Sequence, residues 1–353
     1  MWVVLVVNIL AVFFAYLAHR LRSDNWLKAA FFIIFLFLAL RFDYGNDYKT
    51  YLYYFIDLDS FPGGPSFEVG WYFLCKAFVP LGFFAMIGVL AAFNAYVYYA
   101  FIRNYVSSSY YWLAVFIYLF SPNLMLIQSS AMRQSVAIQL FLLAAPFISR
   151  KDFLVYILLV VLAITFHQSA FVLLPIFFLW MLPAKTSNRL TVLLGSAYFI
   201  FFSLKASLGT SIVNFLLAYF SKFSFYENNL GVELGSGAGY AFLVLLFFII
   251  LYYERRQTGY HSLFFRLFLI GFITSQTAFI NALFARVGMY FEPFSIIVIP
   301  QLLISVRNPY FRVALLFCYL LFILYGFLNF FKLEVWVDSF SAYKTIFSSP
   351  RLF

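Results

Sequence analysis

Ionisable side chains interrupt the apolar stretches of this chain at a few places where proton transfer or anion binding could occur. A carboxylate or an imidazole can accept a proton, and a guanidinium can bind an anion through two parallel hydrogen bonds. The positions are Arg41, Asp43 and Asp47 in R-F-D-Y-G-N-D-Y, Glu68 in S-F-E-V-G-W, Arg133 in S-S-A-M-R-Q-S, His167 in T-F-H-Q-S-A, and Arg286 and Glu292 in F-A-R-V-G-M-Y-F-E-P. Charges in or beside a bilayer are costly, so each of these is a candidate site residue.

Arg133 is the charge that most needs an explanation, because a guanidinium at the start of an apolar helix cannot become neutral. Two interpretations stay open. Arg133 forms a structural ion pair with Glu68 or Asp43, or it binds a phosphate or diphosphate. Arg286 is distant in sequence but is assigned below to the same side of the membrane, so Arg133 and Arg286 together would make a bidentate clamp for a diphosphate.

Arg41 and His167 each have a structural and a functional interpretation. Arg41 either anchors a helix end at the membrane interface or faces an outward cavity, and Gly45 permits a turn between Asp43 and Asp47. His167 is either a satisfied structural residue or a group that bonds an anion or accepts a proton near neutral pH.

The composition shows what kind of fold must position these residues. Of 353 residues, 65% are hydrophobic and 10% are charged, whereas soluble proteins contain about 25% charged residues. The mean hydropathy is +0.95. We therefore predict an all-α, polytopic integral membrane protein with one domain over 1–353. Cys75 and Cys318 lie in apolar runs, so we predict that both are small buried hydrophobic residues, without a disulfide or a metal site.

About twelve apolar segments are candidate transmembrane helices, to be compared with the roughly 20 residues that cross a bilayer. They are 2–18, 26–40, 81–102, 110–127, 131–148, 153–166, 170–182, 190–204, 239–253, 263–283, 287–305 and 313–331. The segments that flank Arg41 and His167 are short, which is typical of helices that border a cavity. Whether the tail 331–353 folds back over that cavity is left open.

The positive charge of the chain is distributed unevenly between its two sets of connections. One set carries thirteen basic residues against three acids, and the other carries ten against ten. By the positive-inside rule the first set is cytoplasmic, so both termini and the long loops 41–70 and 205–238 face outward, into the periplasm of a bacterium. Within 205–238, the stretch 212–225 is amphipathic and is predicted to lie along the outer interface.

This distribution changes the meaning of the net charge of +10. In a soluble protein such a charge would suggest nucleic acid, but here the whole excess lies on the cytoplasmic side and reports orientation, so no nucleic-acid partner is predicted. The sequence also lacks G-x-x-x-x-G-K-[ST], G-x-G-x-x-G and H-E-x-x-H motifs. Nucleotide-driven pumping and zinc hydrolysis are therefore unsupported.

Five landmarks occur in an order that resembles a known family. They are R-F-D-Y-G-N-D-Y-K-T-Y, F-E-V-G-W-Y-F-L, A-M-R-Q-S-V-A-I-Q-L, T-F-H-Q-S-A-F-V-L-L-P and A-R-V-G-M-Y-F-E, over about 40–300. Together they resemble the EpsG-like branch of bacterial polysaccharide polymerases, which is similar to the Wzy-type O-antigen polymerases. The resemblance implies a C-type glycosyltransferase-like fold with a large outward-facing cavity, in the inner membrane and active on the periplasmic side.

The resemblance also implies a reaction and a set of roles. Such enzymes join undecaprenyl-diphosphate-linked oligosaccharide repeat units by transferring the growing chain to the non-reducing end of a new unit. The predicted diphosphate-binding residues are Arg133, Arg286, His167 and Arg41. The acceptor hydroxyl needs a general base, for which Asp47 and Glu68 are slightly favoured over Asp43 and His167. No cofactor or metal is predicted.

Two alternatives from other functional classes remain. A flippase or transporter for a lipid-linked oligosaccharide would line its transit path with the same arginines, but its polar residues should occur at several depths of the membrane. An O-antigen ligase would differ mainly in its acceptor. The predicted partners are the lipid-linked oligosaccharide, membrane lipids and a chain-length regulator protein.

Overall fold

The fold is taken from a computed structural model that describes residues 1–58, 68–181, 238–276 and 286–348, together with Ser196. These residues are mostly helical. In chain order the α-helices are α1 Trp2–Arg20, α2 Asp24–Ala39, α3 Tyr48–Ile56, α4 Val69–Phe78, α5 Phe83–Tyr105, α6 Tyr111–Phe120, α7 Leu126–Ser130, α8 Met132–Arg150, α9 Phe153–Phe166, α10 Ala238–Glu254, α11 Gly259–Gln276, α12 Ser295–Ser305, α13 Pro309–Phe330 and α14 Glu334–Phe340. The remaining elements are the 3-10 helices Ser108–Tyr110, Gln168–Met181, Glu292–Phe294 and Ile346–Ser348 and the two-residue strands β1 Arg41–Phe42 and β2 Lys344–Thr345.

The chain divides into two compact units. One contains Met1–Leu174 and Val306–Phe353, and the other contains Pro175–Ser305. In the second unit α11 packs against α10 and α12, and Phe291 lies close to Gly271. The ion pair between Arg266 Nε and Glu254 Oε1, at 2.8 Å, joins α10 to α11.

Four helices are long and apolar enough to cross a membrane, judged by length and composition among the described residues: α1, α5, α8 and α13. Shorter apolar helices occur at Ser108–Phe120, Phe153–Phe166, Gln168–Leu179, Ala241–Glu254, Gly259–Thr274 and Glu292–Ser305. An all-α membrane protein is consistent with this, and the count of twelve spans stays a prediction. The predicted span 190–204, apart from Ser196, and the amphipathic stretch 212–225 lie outside the described residues.

The helix α8 forms the centre of the first unit. Within the apolar windows of these helices, 78% of the residues of α8 are buried, against 28% in α1 and in α13. Lys151 ends α8 in a left-handed conformation, and the Asp152 carboxylate then caps α9 by accepting the Val155 N–H at 3.2 Å. Because α8 and α9 consequently run back against each other, the start of α8 and the end of α9 lie at the same end of the unit.

The C-terminal segment folds back onto the loop that follows α2. Strand β2 pairs antiparallel with β1, so that Arg41 stands opposite Thr345. The Tyr343 hydroxyl donates to the Phe37 carbonyl at 2.7 Å, and its ring stacks on that of Phe37 with 4.7 Å between centroids. The Gly45 N–H donates to the Ser339 carbonyl at 3.1 Å. The described part of the tail thus covers the R-F-D-Y-G-N-D-Y loop.

One expectation about the cysteines is wrong. Cys75 is buried in an aromatic core with Tyr48, Tyr51 and Trp71, as its apolar surroundings predict. Cys318 is exposed, because α13 lies at the edge of its unit and presents much of its apolar surface outward. Burial of a thiol cannot be read from an apolar sequence when the helix that carries it is peripheral.

Candidate functional site

Glu68 and Arg133 form an ion pair at the end of the first unit where α8 begins. The Arg133 Nη1 donates a short hydrogen bond to Glu68 Oε2. The other carboxylate oxygen of Glu68 accepts the Gln168 backbone N–H at 3.3 Å. Of the two partners that the sequence offered for Arg133, the structure therefore selects Glu68, and it brings together segments up to a hundred residues apart.

Local packing explains how these groups meet. Glu68 is the residue before α4, and α4 packs closely against α9 at Gly70, where an added Cβ would lie 2.4 Å from Thr165 Oγ1. Since α9 ends at Phe166, one residue after Thr165, this contact brings Glu68 to the backbone of Gln168. On the other side, Met132 packs in the same core as Trp71 and so holds the first turn of α8 beside α4.

Tyr51 is a second contact of Arg133 and was not identified from the sequence. Its hydroxyl accepts a hydrogen bond from Arg133 Nε at 3.5 Å, and the guanidinium lies 5.8 Å from the centre of its ring. Burial raises the pKa of Tyr51, an effect that Arg133 partly offsets and the charge of Asp47 reinforces. Tyr51 is therefore a neutral phenol that positions the arginine. Its place one helical turn after Asp47 was the available signal.

The ion pair is not sealed inside the protein. The side chain of Arg133 is 26% exposed and that of Glu68 is 10% exposed. A guanidinium with this access can exchange one anionic partner for another, whereas removing its partner altogether would leave an uncompensated charge at a cost of about 3–5 kcal/mol. The arrangement is thus suited to binding an external anion at Arg133.

His167 ends α9 and presents a defined face of its ring. Its Nδ1 accepts the Ser169 backbone N–H at 3.2 Å and contacts the Ser169 hydroxyl at 3.0 Å. A backbone N–H can only donate, so Nδ1 must be the unprotonated nitrogen of the neutral ring and Nε2 carries the proton. The Nε2–H group is then a donor. Its backbone neighbour Gln168 is the residue that holds Glu68, which places His167 beside the pair in the chain.

The two aspartates, Asp43 and Asp47, make different contacts. Asp43, which adopts a left-handed φ of 49°, forms an ion pair with Lys49 at 3.2 Å. Asp47 is exposed at the start of α3, and its backbone N–H donates to the Ser130 hydroxyl at 3.2 Å. Between them Gly45 has a φ of +118°, which confirms the predicted turn. Asp47 lies next to the Tyr51–Arg133–Glu68 cluster, while Asp43 is engaged by a lysine.

Arg41 and Arg286 are the two remaining arginines that the sequence predicts to bind a diphosphate. Arg41 is 5% exposed and donates from Nη2 to the Ser129 carbonyl at 2.8 Å. Arg286 is exposed and belongs to the unit Pro175–Ser305, so its predicted pairing with Arg133 stays a prediction. Glu292 lies in that same unit, in the 3-10 helix Glu292–Phe294. Among the residues described, no three His, Cys, Asp or Glu side chains lie together as metal ligands would.

The fold is that of a helical, membrane-embedded protein. In its first unit a carboxylate, an arginine and a histidine lie at one end of the helices. The chain belongs to the EpsG family, whose family model matches residues 25–347. Membership indicates a polysaccharide polymerase-type, glycosyltransferase-like role. Comparison with curated proteins and with solved structures gave no match.

Proposed function

We propose that the protein polymerises undecaprenyl-diphosphate-linked oligosaccharide repeat units into a surface polysaccharide of the O-antigen kind by glycosyl transfer at the periplasmic face of the inner membrane. The observation that carries this proposal is the accessible Arg133–Glu68 pair, in which a cation suited to a diphosphate lies directly against a carboxylate suited to a proton. Family membership supports a polymerase-type role.

In the proposed reaction the donor diphosphate takes the place of Glu68 on Arg133. Glu68 then remains held by the Gln168 N–H and is free to accept a proton. The acceptor hydroxyl oxygen forms a bond to the anomeric carbon, and the bond from that carbon to the diphosphate oxygen breaks. The diphosphate leaves with the electron pair, and the hydroxyl proton passes to Glu68 or, through the exposed side, to Asp47.

The charge that develops on the leaving diphosphate needs fixed donors near it. Arg133 supplies a guanidinium whose orientation is set by Tyr51. His167 supplies an Nε2–H, because its Nδ1 is occupied by Ser169. Arg286 is the further cation that we propose for this role, as the sequence predicts.

The ion pairs support the proposed sidedness. Asp24 with Arg103 and Glu254 with Arg266 join residues that the charge distribution assigns to the cytoplasm. The other two pairs, Lys49 with Asp43 and Arg133 with Glu68, join residues assigned to the outside. Every one of these pairs unites residues of one assigned side, in keeping with a multi-pass topology of about twelve spans.

The test uses purified full-length protein, a defined lipid-diphosphate-linked repeat unit and gel analysis of the products. The wild type should give a ladder of chain lengths. Arg133→Ala and Glu68→Gln should give only the single repeat. The control variant Arg20→Ala, which removes an exposed arginine at the C-terminal end of α1, should give the full ladder. Full ladders from Arg133→Ala would refute the assignment. Movement of the lipid across liposomes without a ladder would favour a flippase, and transfer only to a lipid core acceptor would favour a ligase.

A further inference from the structure

A second polar cluster lies inside the helical bundle of the first unit, apart from the Glu68–Arg133 pair. Side chains from α2, α5, α7 and α8 and from β1 enclose a cavity of about 30 Å³. Its polar lining comes from Arg41, Asn94, Gln128, Ser129, Ser135 and Gln139. A cavity needs about 10–15 Å³ to hold one water, so this one has room for water or a small ion.

Three side chains of this lining have buried polar atoms without a hydrogen-bond partner: Nε of Arg41, Nε2 of Gln128 and Oε1 of Gln139. The residues themselves are 5%, 1% and 2% exposed. Buried polar atoms are nearly always satisfied in native proteins, so three of them around one cavity indicate a ligand. Neither the backbone nor a side chain of the described residues supplies it.

The charge of Arg41 also lacks a counterion among the residues that the structure describes. Its guanidinium contacts the Ser129 carbonyl and the ring of Tyr48, 6.0 Å away, and makes no ion pair. The nearest aspartate in sequence, Asp43, pairs with Lys49 instead. An isolated buried charge is strongly unfavourable, so an anion bound beside Arg41 would stabilise the fold.

The tyrosines around Arg41 cannot supply that anion. Burial raises the pKa of Tyr48 to about 12 and that of Tyr343 to about 12, and it raises the pKa of Tyr44 as well. All three phenols are therefore neutral at physiological pH. Burial likewise lowers the pKa of Arg41, but an arginine retains its charge in proteins.

The amides around the cavity suit an anion better than a cation. Gln128 uses its Oε1 to accept the Tyr98 hydroxyl at 2.8 Å, which leaves its N–H groups for the cavity. Gln139 contacts the Ser135 hydroxyl through Nε2 at 2.9 Å. Because a hydroxyl can accept or donate, a half turn of this amide keeps that bond and turns a second N–H group toward the cavity.

We propose that Arg41, Gln128 and Gln139 form a buried binding site for a small monovalent inorganic anion of halide size. The anion neutralises Arg41 and accepts hydrogen bonds from the three side chains. Arg41 then supports the loop that follows α2 from inside the bundle, a role that replaces the direct contact with a diphosphate predicted from the sequence. This site does not depend on the proposed polymerase activity.

The test measures thermal unfolding of the purified full-length protein in detergent, in sodium gluconate and after replacement of gluconate by chloride or bromide at constant ionic strength. We expect both halides to raise the unfolding midpoint by about 2 °C or more. Arg20→Met, an exposed arginine variant, should show the same rise. Sulfate should give none, because a dianion beside the single charge of Arg41 would leave a second buried charge uncompensated.

The decisive variant is Gln128→Glu, which retains the oxygen that accepts the Tyr98 hydroxyl and adds a carboxylate opposite Arg41. It should be more stable than the wild type in gluconate and should lose the halide response, since the anion is now built into the protein. Arg41→Met should also lose the response. Equal midpoints of the wild type in gluconate and chloride, or a halide response that persists in Gln128→Glu, would overturn the proposal.

Discussion

Replacing Gly70 by alanine tests whether the close packing of α4 against α9 is what holds Glu68 beside Arg133. A Cβ at position 70 would lie 2.4 Å from Thr165 Oγ1 and 3.0 Å from both the Cβ and the carbonyl oxygen of that residue. Rotating the threonine would break its 2.7 Å hydrogen bond to the Leu162 carbonyl and would leave both contacts at 3.0 Å. The helix α4 must therefore move away from α9.

The size of that movement follows from the distances. Ordinary van der Waals contact begins at 3.4 Å, so the backbone of α4 has to shift by about 1 Å. Overpacking of this kind costs about 1–3 kcal/mol of folding free energy. A displacement of about 1 Å at a catalytic group lowers the rate by about a hundredfold. Glu68 precedes Gly70 by two residues, so it moves with α4 away from both Arg133 and Gln168.

The assay is the initial rate of repeat-unit transfer, measured with thermal unfolding of the same preparations. Gly70→Ala should reduce the rate by about two orders of magnitude while the protein still inserts and folds. Gly88→Ala is the matched control, because a Cβ there meets nothing within 4 Å, and it should leave the rate unchanged. Adding Thr165→Gly to Gly70→Ala should restore part of the rate. A wild-type rate in Gly70→Ala would refute the link between this helix contact and the position of Glu68.

Three further residues, Tyr51, Cys75 and Tyr343, can each be tested separately. Tyr51→Phe removes the hydroxyl that Arg133 contacts but keeps the ring, so the rate of transfer should fall by no more than about tenfold, in line with a net hydrogen-bond contribution of about 0.5–1.5 kcal/mol. Burial raises the pKa of the Cys75 thiol to about 12, so this thiol stays protonated at pH 8 and at pH 9.5. In a Cys318→Ser background, N-ethylmaleimide should therefore not label the folded protein at either pH. Labelling should become stoichiometric in detergent that unfolds the chain. Tyr343→Phe should lower the free energy of unfolding by about 1 kcal/mol through loss of the bond to Phe37, and Tyr343→Ala by clearly more because the ring stacking is lost too; equal effects in denaturant titrations would contradict this account of the tail.

The sequence reveals the class of the protein and the segments that matter, because both depend on local composition and order. The apolar stretches require a membrane, and the landmark around Glu68 and the one around Arg133 each mark an ionisable group that needs a partner. Gly45 could be placed in a turn from its residue type alone. The family that the landmarks resemble is the one to which the chain belongs.

The contacts within the site could not be predicted, because they depend on which helix faces pack together. Helical periodicity assigns a face to a residue but does not name the residue opposite. It relates Tyr51 to Asp47, one turn earlier, but it relates neither Tyr51 nor the backbone of Gln168 to Glu68. The pairing of β1 with β2 joins positions about three hundred residues apart. Gln139 is out of step with Arg133 on α8, and nothing in its helical position indicates that it lines the same cavity as Arg41.

Arg133 and Arg41 both belong to the first unit and meet the same electrostatic requirement in opposite ways. Arg133 has a carboxylate partner in Glu68 and is partly accessible. In the proposed reaction, a structural ion pair and a diphosphate-binding role are therefore successive states of this residue, with Glu68 occupying the place of the phosphate until substrate arrives. Arg41 is buried and has no carboxylate partner among the described residues, so we propose that its anion is retained in the fold. Access therefore separates the two roles: an exchangeable anion belongs at Arg133, and a retained one belongs at Arg41. Under this reasoning halide should change stability without competing with a diphosphate, whereas inorganic diphosphate should inhibit transfer at Arg133 without changing the halide response.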